Sequence, residues 1–335
     1  MSRAPRNRTL SVAPEERGSL EKRLIRLSGP VTLSEITDRT ICQDLFEVLD
    51  WLPEKSVDLL FADPPYNLTK SFNGRIFSGG SITRYEAWLE SWLPRLVKVL
   101  KPTGSLYICG DWRSSAAVHR VADQHVYVRN RITWEREKGR GALRNWKNCS
   151  EDIWFCTVSD NYVFHADAVK LKRRVIAPYT KDDGSPKDWT ESEQGRFRLT
   201  SPSNLWADIT VPFWSMPENT DHPTQKPEKL LAKLILASSN EKDVILDPFL
   251  GSGTTSVVCR KLNRRYIGIE IDETYCCLAE KRLHLAATDH DIQGYADGVF
   301  WERNALSDRQ RSKKAKADET PMLFAGERSH REGSR

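Results

Sequence analysis

The sequence predicts an α/β protein with a mostly parallel, twisted sheet that carries helices on both faces. Short apolar runs typical of buried strands alternate with patterns in which apolar residues recur at helical spacing. Segments rich in Gly and Pro separate these patterns, and the alternation resumes after a polar interruption in the middle of the chain. Strands that alternate with helices favour a parallel sheet, because each helix returns the chain to the same end of the sheet.

The first part of the chain, up to about residue 157, supplies most of the expected strands. Residues 67–84 are polar, hold three glycines and predict a mobile loop. Beyond them, a helix should end at the Lys-Pro-Thr-Gly sequence of residues 101–104. The expected elements are a helix at 44–49, a strand at 57–62, a helix at 85–100, a strand at 105–109, a helix at 114–122 and strands at 126–134 and 152–157.

Residues 165–220 interrupt the alternation. They are polar, contain five prolines and show few periodic runs, which predicts an insertion or small subdomain grafted on the sheet. The elements expected after it are a helix at 227–238, a strand at 244–246, a helix at 253–262, a strand at 266–270 and a helix at 274–287. The expected regions are a basic flexible N-terminal arm (1–28), a first half of the main domain (29–164), the insertion (165–220), a second half (221–303) and a charged flexible tail (304–335).

The composition is that of a soluble globular protein, with 335 residues of which 39% are hydrophobic and 29% charged. No apolar run approaches the roughly 20 residues of a membrane span, and the N-terminus lacks the apolar segment of a secretory signal. The seven cysteines are scattered without a Cys-x-x-Cys pair. This pattern predicts reduced thiols in a cytoplasmic protein, with no membrane association and no metal site.

The net charge of +5 is distributed unevenly. The two terminal segments, 1–26 and 303–335, contribute about +8, so the body between them is slightly acidic. Within that body, residues 129–198 hold fifteen Arg and Lys against eleven acidic residues. A basic segment in such a body is a candidate surface for a polyanion, but charge alone is equally consistent with a solvated loop face.

The most informative motif is Asp63-Pro64-Pro65-Tyr66, directly after the strand expected at 57–62. Ligands of open α/β sheets bind beyond the carboxyl ends of the strands, which is where this tetrapeptide would lie. Two prolines cannot continue the strand, so the motif predicts a stiff turn. Its carboxylate and carbonyl oxygens can accept the N–H groups of a planar amine, and its aromatic ring offers a face for stacking. The alternative is a turn carboxylate that only binds backbone donors.

A second motif runs Asp247-Pro-Phe-Leu-Gly251-Ser-Gly253-Thr-Thr, from an expected strand into an expected helix. Its glycines let a ligand approach the backbone closely. The Gly-Lys-Ser/Thr sequence of a phosphate-binding loop is absent. Glu270 ends the next expected strand, where an acidic side chain can bind the diol of a ribose. Together these features predict a nucleoside cofactor site rather than a merely structural turn.

A third motif, His222-Pro-Thr224-Gln-Lys226-Pro227, precedes the helix expected at 227–238. Pro227 suits the first helical position, and Thr224 is placed to cap the helix. Lys226 can meet a carboxylate. His222 is either a general base or a polar histidine that holds the turn, and the second interpretation is favoured.

Together, the sequences DPPY, DPFLGSGTT and HPTQKP resemble those of the S-adenosylmethionine-dependent DNA amino-methyltransferases over about residues 38–287. The stretch LPEKSVDLLFADPPYNL is especially similar to the adenine-N6 members. Here the catalytic motif precedes the cofactor loop, which is the circularly permuted order of the β group. The resemblance implies a Rossmann-like methyltransferase fold, with a target-recognition region inserted between the motifs, where 165–220 lie.

The resemblance also implies roles for individual residues. Asp63, Pro64, Pro65 and Tyr66 would form the catalytic motif. Glu270 would bind the ribose of S-adenosyl-L-methionine. The remaining residues implied at the cofactor are Asp44 near its adenine, Asp247, Phe249, Gly251, Ser252, Gly253 and Thr254 around its methionine end, and Lys226 with its neighbours His222 and Thr224 near the methionine carboxylate.

The expected reaction is transfer of a methyl group to the N6 amine of an adenine flipped out of double-stranded DNA, in a restriction-modification or epigenetic role. Asp63 and the Pro64 carbonyl would accept the two N–H groups, so that the nitrogen lone pair points at the methyl carbon. Asp63 would also limit the charge that develops on nitrogen, and Tyr66 would stack on the base. Residues 67–84 would close over it.

Several alternatives stay open. Cytosine-N4 methylation uses the same chemistry, although cytosine-N4 members more often carry Ser in place of Asp63. Relatives that methylate protein glutamine or RNA usually place the cofactor loop first and carry Asn-Pro-Pro-Tyr. A DNA-binding subunit without catalysis is disfavoured because both motifs are intact. The expected partners are double-stranded DNA, a second copy of the chain and a cognate restriction endonuclease; the sequence gives no readable code for the DNA site.

Overall fold

The computed structural model describes residues 6–136, 144–176, 178–192 and 195–303. Helices and strands are numbered along the chain. The helices are α1 (Pro14–Glu21), α2 (Leu33–Ile36), α3 (Leu45–Val48), α4 (Ile82–Val99), α5 (Ser115–Ala122), α6 (Glu228–Ser238), α7 (Thr254–Lys261) and α8 (Glu273–Leu285). The strands are β1 (Arg39–Cys42), β2 (Val57–Ala62), β3 (Lys70–Phe72), β4 (Arg75–Phe77), β5 (Leu100–Gly110), β6 (Tyr127–Glu135), β7 (Ser150–Thr157), β8 (Leu171–Arg174), β9 (Thr190–Ser192), β10 (Gly195–Thr200), β11 (Leu205–Trp206), β12 (Val244–Asp247), β13 (Arg265–Glu270), β14 (Tyr295–Ala296) and β15 (Val299–Trp301).

An eight-stranded sheet forms the centre of the molecule, in the order β1-β13-β12-β2-β5-β7-β6-β11. Among these strands only β7 runs antiparallel to its neighbours β5 and β6, and the other pairs are parallel. The prediction of a mostly parallel α/β sheet is therefore confirmed. Most expected elements appear within a few residues of their predicted bounds, although β5 already begins at Leu100.

Two hydrophobic cores lie on the two faces of this sheet. Successive side chains of a strand point to opposite faces, and on β2 Leu59 and Phe61 join the core that includes α6 and α7. Leu60 and Ala62 join the other core, which includes α4 and α5. Helices thus cover both faces of the sheet. The sequence predicts this, because almost every residue of β2 is apolar, which is typical of a strand buried on both faces.

The register of the sheet brings the carboxyl ends of four strands to one edge. β12 pairs with β2 through Leu246 and Leu60, and with β13 through Asp247 and Gly268. β1 joins β13 so that its last residue, Cys42, lies opposite Glu270. Two sequence motifs that are about 190 residues apart therefore end side by side.

The region expected as an insertion forms part of a second sheet, in the order β14-β15-β8-β10-β9. Strands β8, β9 and β10 come from residues 171–200, but β14 and β15 come from residues 295–301. The small sheet is therefore completed by a segment that the sequence assigned to the second half of the main domain. Phe300 pairs with Leu171, and both are buried.

The expectation of a flexible N-terminal arm is wrong for the part of it that the structure describes. Leu10 forms a β-bridge with Thr220. Helix α1 packs on α8, where Arg17 donates to Glu273 over 2.7 Å and Leu20 is buried. Packing, rather than the Arg-rich composition, decides the order of this segment. Residues 1–5 and the tail expected at 304–335 lie outside the described residues.

Residues 67–84 are not simply a mobile loop, because β3 and β4 form a short hairpin there. Its turn residues Asn73 and Gly74 have φ angles of 47° and 86°, which suits a tight hairpin turn. Helix α4 then begins at Ile82, earlier than expected, because the Ser81 hydroxyl accepts the backbone N–H of Arg84 as its N-terminal cap. In the described ranges, no helix is long and apolar enough to cross a membrane.

Gly253→Ala should destabilise the fold strongly, and Gly18→Ala should not. Gly253 has a φ of +81°, and a Cβ there would lie 2.5 Å from the Cβ of Ala279 on α8. Strain and overpacking together should cost at least about 1–3 kcal/mol of unfolding free energy. Gly18 lies within α1 with no atom within 4 Å of an added Cβ, so alanine there should stabilise by roughly 0.5–1 kcal/mol. Denaturant unfolding of both variants checks this, and equal effects would contradict it.

Candidate active site

Four carboxylates stand at the edge where the parallel strands end. Asp63 directly follows β2, Asp247 closes β12, and Glu270 closes β13. Asp44 lies two residues after β1, where its side chain caps α3 by accepting the N–H of Phe46. The sequence separates these residues widely, and the strand register gathers them.

The tetrapeptide that begins at Asp63 is held by side chains from two directions. The Tyr66 hydroxyl donates to Asp63 Oδ1 over 2.9 Å, and Lys226 Nζ donates to Oδ2 over 2.5 Å. From α4, the Tyr85 hydroxyl donates to the Pro65 carbonyl over 3.0 Å. Pro64 is buried. The motif is therefore a fixed turn, as its prolines predict, and both carboxylate oxygens are already engaged.

The Tyr66 side chain is half-buried in this arrangement. Its ring packs against the core on the α6 side of the sheet, with Lys226 Nζ 5.5 Å from its centroid. Burial, followed by the charge of Asp63, raises the pKa of Tyr66 well above its ordinary value. The hydroxyl therefore stays protonated and acts as a donor to Asp63.

Lys226 is a buried ammonium group between two carboxylates. Besides Asp63, its Nζ lies 3.5 Å from Oε2 of Glu151 on β7. Burial alone would lower the pKa of Lys226, but Asp63 and Glu151 outweigh it and raise the pKa above its ordinary value. The expectation that Lys226 meets a carboxylate is confirmed, and the carboxylate is Asp63. Sequence reasoning missed Glu151; its only signal was one of two adjacent acidic residues just before the apolar run Ile153–Cys156.

The segment before α6 differs in detail from its prediction. The helix begins at Glu228, so Pro227 occupies the capping position and not the first helical one, and it supplies no side-chain cap. Thr224 does not cap the helix either; its backbone N–H points to Nδ1 of His222 over 3.4 Å. Instead, the buried carboxylate of Glu218 accepts the N–H of Glu228 over 2.7 Å.

His222 holds the glycine turn by packing. Its ring lies edge-on to Tyr275, with centroids 4.5 Å apart, and an added Cβ on Gly251 would come within 3.0 Å of Nε2. Burial lowers the pKa of His222 to about 4, so the ring is neutral at physiological pH. These contacts favour the interpretation of His222 as a turn histidine.

The glycine turn after β12 wraps around the buried carboxylate of Asp247 and the half-buried carboxylate of Glu270. Asp247 accepts the N–H of Phe249 over 3.0 Å and the hydroxyl of Thr255 over 2.5 Å. Glu270 accepts the N–H of Gly251 over 2.8 Å. Gly251 and Gly253 have φ angles of +53° and +81°, a backbone that glycine adopts readily. The turn needs its glycines for this path.

Ser252 and Thr254 use their side chains within the fold. Arg282 of α8 donates to the Ser252 carbonyl and to the Thr254 hydroxyl over 3.0 and 2.9 Å. The Thr254 hydroxyl in turn donates to the Lys226 carbonyl over 3.0 Å. These contacts tie the glycine turn to the segment that carries Lys226, so the two motifs form one unit.

Aromatic rings from α4 fix Phe249 at the turn. The Phe249 ring lies 5.2 Å from Trp92 and 6.2 Å from Trp88 between centroids, and Trp88 also contacts Phe77 of the β3–β4 hairpin at 5.3 Å. At the hairpin tip, Asn73 donates to Asp272 over 2.9 Å. The hairpin therefore reaches from the tetrapeptide to the end of β13 and covers this side of the edge.

The electrostatics of the edge favour a cationic ligand. Burial raises the pKa of Asp247 to about 7 and raises that of Glu270 above its ordinary value. Within the described ranges, neither carboxylate has an ion-pair partner. Among those residues there is also no cluster of three or more His, Cys, Asp or Glu suited to a metal ion. A nucleoside that carries a positive charge would thus compensate groups that the protein leaves uncompensated.

Asp247→Asn should change how the melting temperature depends on pH. Because burial raises the pKa of Asp247 to about 7, the folded protein keeps this proton where the unfolded chain, with a pKa of about 4, has lost it. The aspartate therefore adds a penalty that is absent below about pH 4 and grows as the pH rises towards 7. Thermal unfolding across this range should show Asn gaining steadily relative to Asp.

The exposed Asp182 supplies the control for removing one negative charge. The melting temperature of Asp182→Asn, measured over the same pH range, reports the effect of removing a surface carboxylate alone. A constant difference between Asp247→Asn and the wild type would contradict the assignment, because only a group whose pKa differs between the folded and unfolded states produces a slope.

Comparison with known proteins agrees with this geometry. Residues 57–281 match a family described as DNA methylase. The type II methyltransferase M.HpaI of Haemophilus parainfluenzae is 34% identical, over 77% of this chain and 76% of its own length. The DNA adenine methyltransferase YhdJ of Escherichia coli K12 is 35% identical, over 73% of this chain and 82% of its own. Among solved structures, the PvuII cytosine-N4 DNA methyltransferase shares the fold at 18% identity, with a TM-score of 0.54 over 76% of this chain and 88% of that one. The chain belongs to the DNA methylase family and is a DNA methyltransferase.

Proposed function

We propose that this enzyme transfers a methyl group to the N6 amine of adenine in double-stranded DNA. The observation that carries the proposal is the position of Asp63, fixed at the end of β2 beside the glycine turn that follows β12. An aspartate rather than a serine at this position favours adenine, and a relative at 35% identity is named as an adenine methyltransferase.

The methyl donor of the family is S-adenosyl-L-methionine, and the residues present fit it. Its positive charge suits an edge with uncompensated carboxylates. When bound, it supplies a methyl group on a cationic sulfur. In our proposal Glu270 holds the ribose and Asp44 lies near the adenine. The methionine end is assigned to Asp247, Phe249, Gly251, Ser252, Gly253 and Thr254, with His222, Thr224 and Lys226 alongside.

Asp63 and the Pro64 carbonyl are the proposed acceptors for the two N–H groups of the target amine. Accepting both groups frees the nitrogen lone pair and aligns it for attack. The nitrogen would take the methyl carbon from the sulfur, which would keep the electron pair of the broken bond, and it would lose one proton, for which Asp63 is the proposed acceptor. Because Lys226 and Tyr66 already occupy the carboxylate, at least one of them has to yield when the amine enters.

The target base has to leave the duplex to reach Asp63, at a cost of a few kcal/mol. In our proposal, the Tyr66 ring stacks on the extruded base after its hydroxyl leaves Asp63. The β3–β4 hairpin, held at Asp272 by Asn73, then closes the pocket from the other side. The turn itself stays in place in our proposal, because Tyr85 holds the Pro65 carbonyl.

We also propose two partners. The relatives named as type II methyltransferases support a role beside a cognate restriction endonuclease. A homodimer is the expected assembly, and sedimentation of the purified chain with and without DNA measures it. The small sheet, to which the basic segment contributes β8 and β10, is the proposed target-recognition surface.

The identity of the modified base is the direct test of this function. The enzyme should be incubated with duplex DNA and methyl-labelled S-adenosylmethionine, and the digested nucleosides separated by mass spectrometry. The expected product is N6-methyladenine. Label in N4-methylcytosine would move the assignment to the other amine, and the absence of label from any nucleoside would contradict the proposed function.

Asp63→Ala should abolish transfer and keep cofactor binding. Losing the acceptor that orients the amine should lower kcat by about 10²–10³-fold or more. Binding of S-adenosylmethionine, followed by calorimetry, should stay near the wild-type value, because Asp63 is not among the residues assigned to the cofactor. Asp160→Ala is a control for the loss of a carboxylate, since Asp160 is exposed and pairs with Arg129 over 2.6 Å, away from the site. Unchanged transfer in Asp63→Ala would refute the catalytic assignment.

A further inference from the structure

Glu151 is a buried carboxylate that faces the reaction site without an assigned role. It lies on β7, and its side chain is 4% exposed. The guanidinium of Arg136, just beyond the end of β6, binds Oε1. Within the described residues, Oε2 has no hydrogen-bond partner, although Lys226 Nζ lies 3.5 Å away. A buried acceptor left in this state is costly, and such groups call for an explanation.

Lys226 stands between Glu151 and Asp63, closer to Asp63. The two N–O distances are 3.5 and 2.5 Å. Both carboxylates raise the pKa of Lys226, so its ammonium keeps its charge in the reacting enzyme. Arg136 balances Glu151. The four groups form a row of two cations and two carboxylates in which Lys226 has two acceptors within reach, and Lys70 adds a further positive charge near the same carboxylates.

Asp63 has two roles that conflict during the reaction. It pairs with the buried ammonium of Lys226, and it has to accept a hydrogen bond from the target amine. In the structure the ammonium of Lys226 draws charge from Oδ2 at 2.5 Å, which weakens that oxygen as an acceptor for the target amine. A charged hydrogen bond of this kind is among the stronger ones in proteins. Removing Lys226 altogether would leave a buried uncompensated carboxylate, which is more costly still. The site therefore needs a second acceptor that can pair with the Lys226 ammonium while the target amine binds Asp63.

We propose that Glu151 is a positioning residue for methyl transfer, which receives the ammonium of Lys226 when the target amine engages Asp63. A movement of less than about 1 Å brings Nζ to ordinary hydrogen-bond distance from Oε2. The transfer of the ammonium keeps the buried charge constant, so it avoids the cost of exposing a new ion. Arg136 holds the receiving carboxylate in place. This inference rests on the proposed function.

Glu151→Gln in an otherwise unchanged enzyme should lower kcat and leave binding intact. The neutral side chain cannot take the ammonium, so Lys226 keeps its hold on Asp63 and the amine is misplaced. A misplacement of this size should lower kcat roughly tenfold to 10²-fold. The KM for DNA and the affinity for S-adenosylmethionine should stay near the wild-type values. Single-turnover transfer of labelled methyl measures slow variants as well.

The decisive measurement is the same substitution in a Lys226→Met background. Without the ammonium, Glu151 and Asp63 are two buried like charges, so removing Glu151 should be neutral or should raise the rate. Glu151→Gln should thus lower kcat in the wild-type background, but leave kcat unchanged or raise it in the Lys226→Met background. Glu151→Asp keeps the charge at a greater distance from Lys226 and should fall between wild type and Gln. If Glu151→Gln impairs folding, which thermal unfolding would show, Glu151→Asp provides the test instead.

The matched control uses another buried ion cluster. Asp208, two residues after β11, binds Lys233 over 2.7 Å and Lys229 over 2.6 Å, and its ion pairs do not include Asp63, Glu151 or Lys226. Asp208→Asn, alone and with Lys233→Met, should lower the melting temperature and leave kcat per folded molecule within about twofold. This control separates the general cost of breaking a buried pair from an effect on the reaction.

Two results would overturn the inference. One is an equal loss from Glu151→Gln in both backgrounds, and the other is a raised KM with an unchanged kcat; either would make Glu151 an anchor for Arg136 alone. If the wild type methylates DNA and the sign of the effect does not change, only this inference fails. If the wild type transfers no methyl group to DNA, the proposed function fails with it.

Discussion

The parallel pairing of β12 with β2 is the constraint on which the rest of the structure depends. It joins two segments about 190 residues apart through Leu246 and Leu60. Since both strands end at the same edge, the turn after β2 and the glycine turn after β12 become neighbours. A shift of one residue would turn the buried faces of β2 over. The apolar cores on both faces therefore fix the register, and the register fixes the active site.

The active site brings several charged side chains together in positions that are largely shielded from water. Lys226 is buried between Asp63 and Glu151, and the buried Asp247 and the half-buried Glu270 have no cation of their own among the described residues. Such an arrangement costs stability, because buried ions are only partly repaid by their partners. The cost is consistent with a site that awaits a cationic cofactor on one side and an amine on the other.

The elements around the edge of the sheet that carries the active site are harder to predict from composition than the sheet itself. The hairpin of β3 and β4 lies in a glycine-containing polar stretch, and its contact from Asn73 to Asp272 depends on a residue far along the chain. Helix α1 has few apolar residues, yet it is ordered by Leu20 and by the pair of Arg17 and Glu273. The small sheet needs β14 and β15 from near the end of the described chain. Each of these features depends on long-range contacts, which periodicity does not report.

The sequence by itself determined the kind of fold, the order of its motifs and the chemistry of their side chains. Strand and helix periodicity are local properties, and a Pro-Pro turn or a Gly-x-Gly turn constrains its own backbone. Only the tertiary structure decided which charges meet: that Lys226 binds Asp63, that the neutral His222 packs against the glycine turn, and that Glu151 stands behind Lys226. These contacts arise from strand register and burial, and both are set by the whole chain.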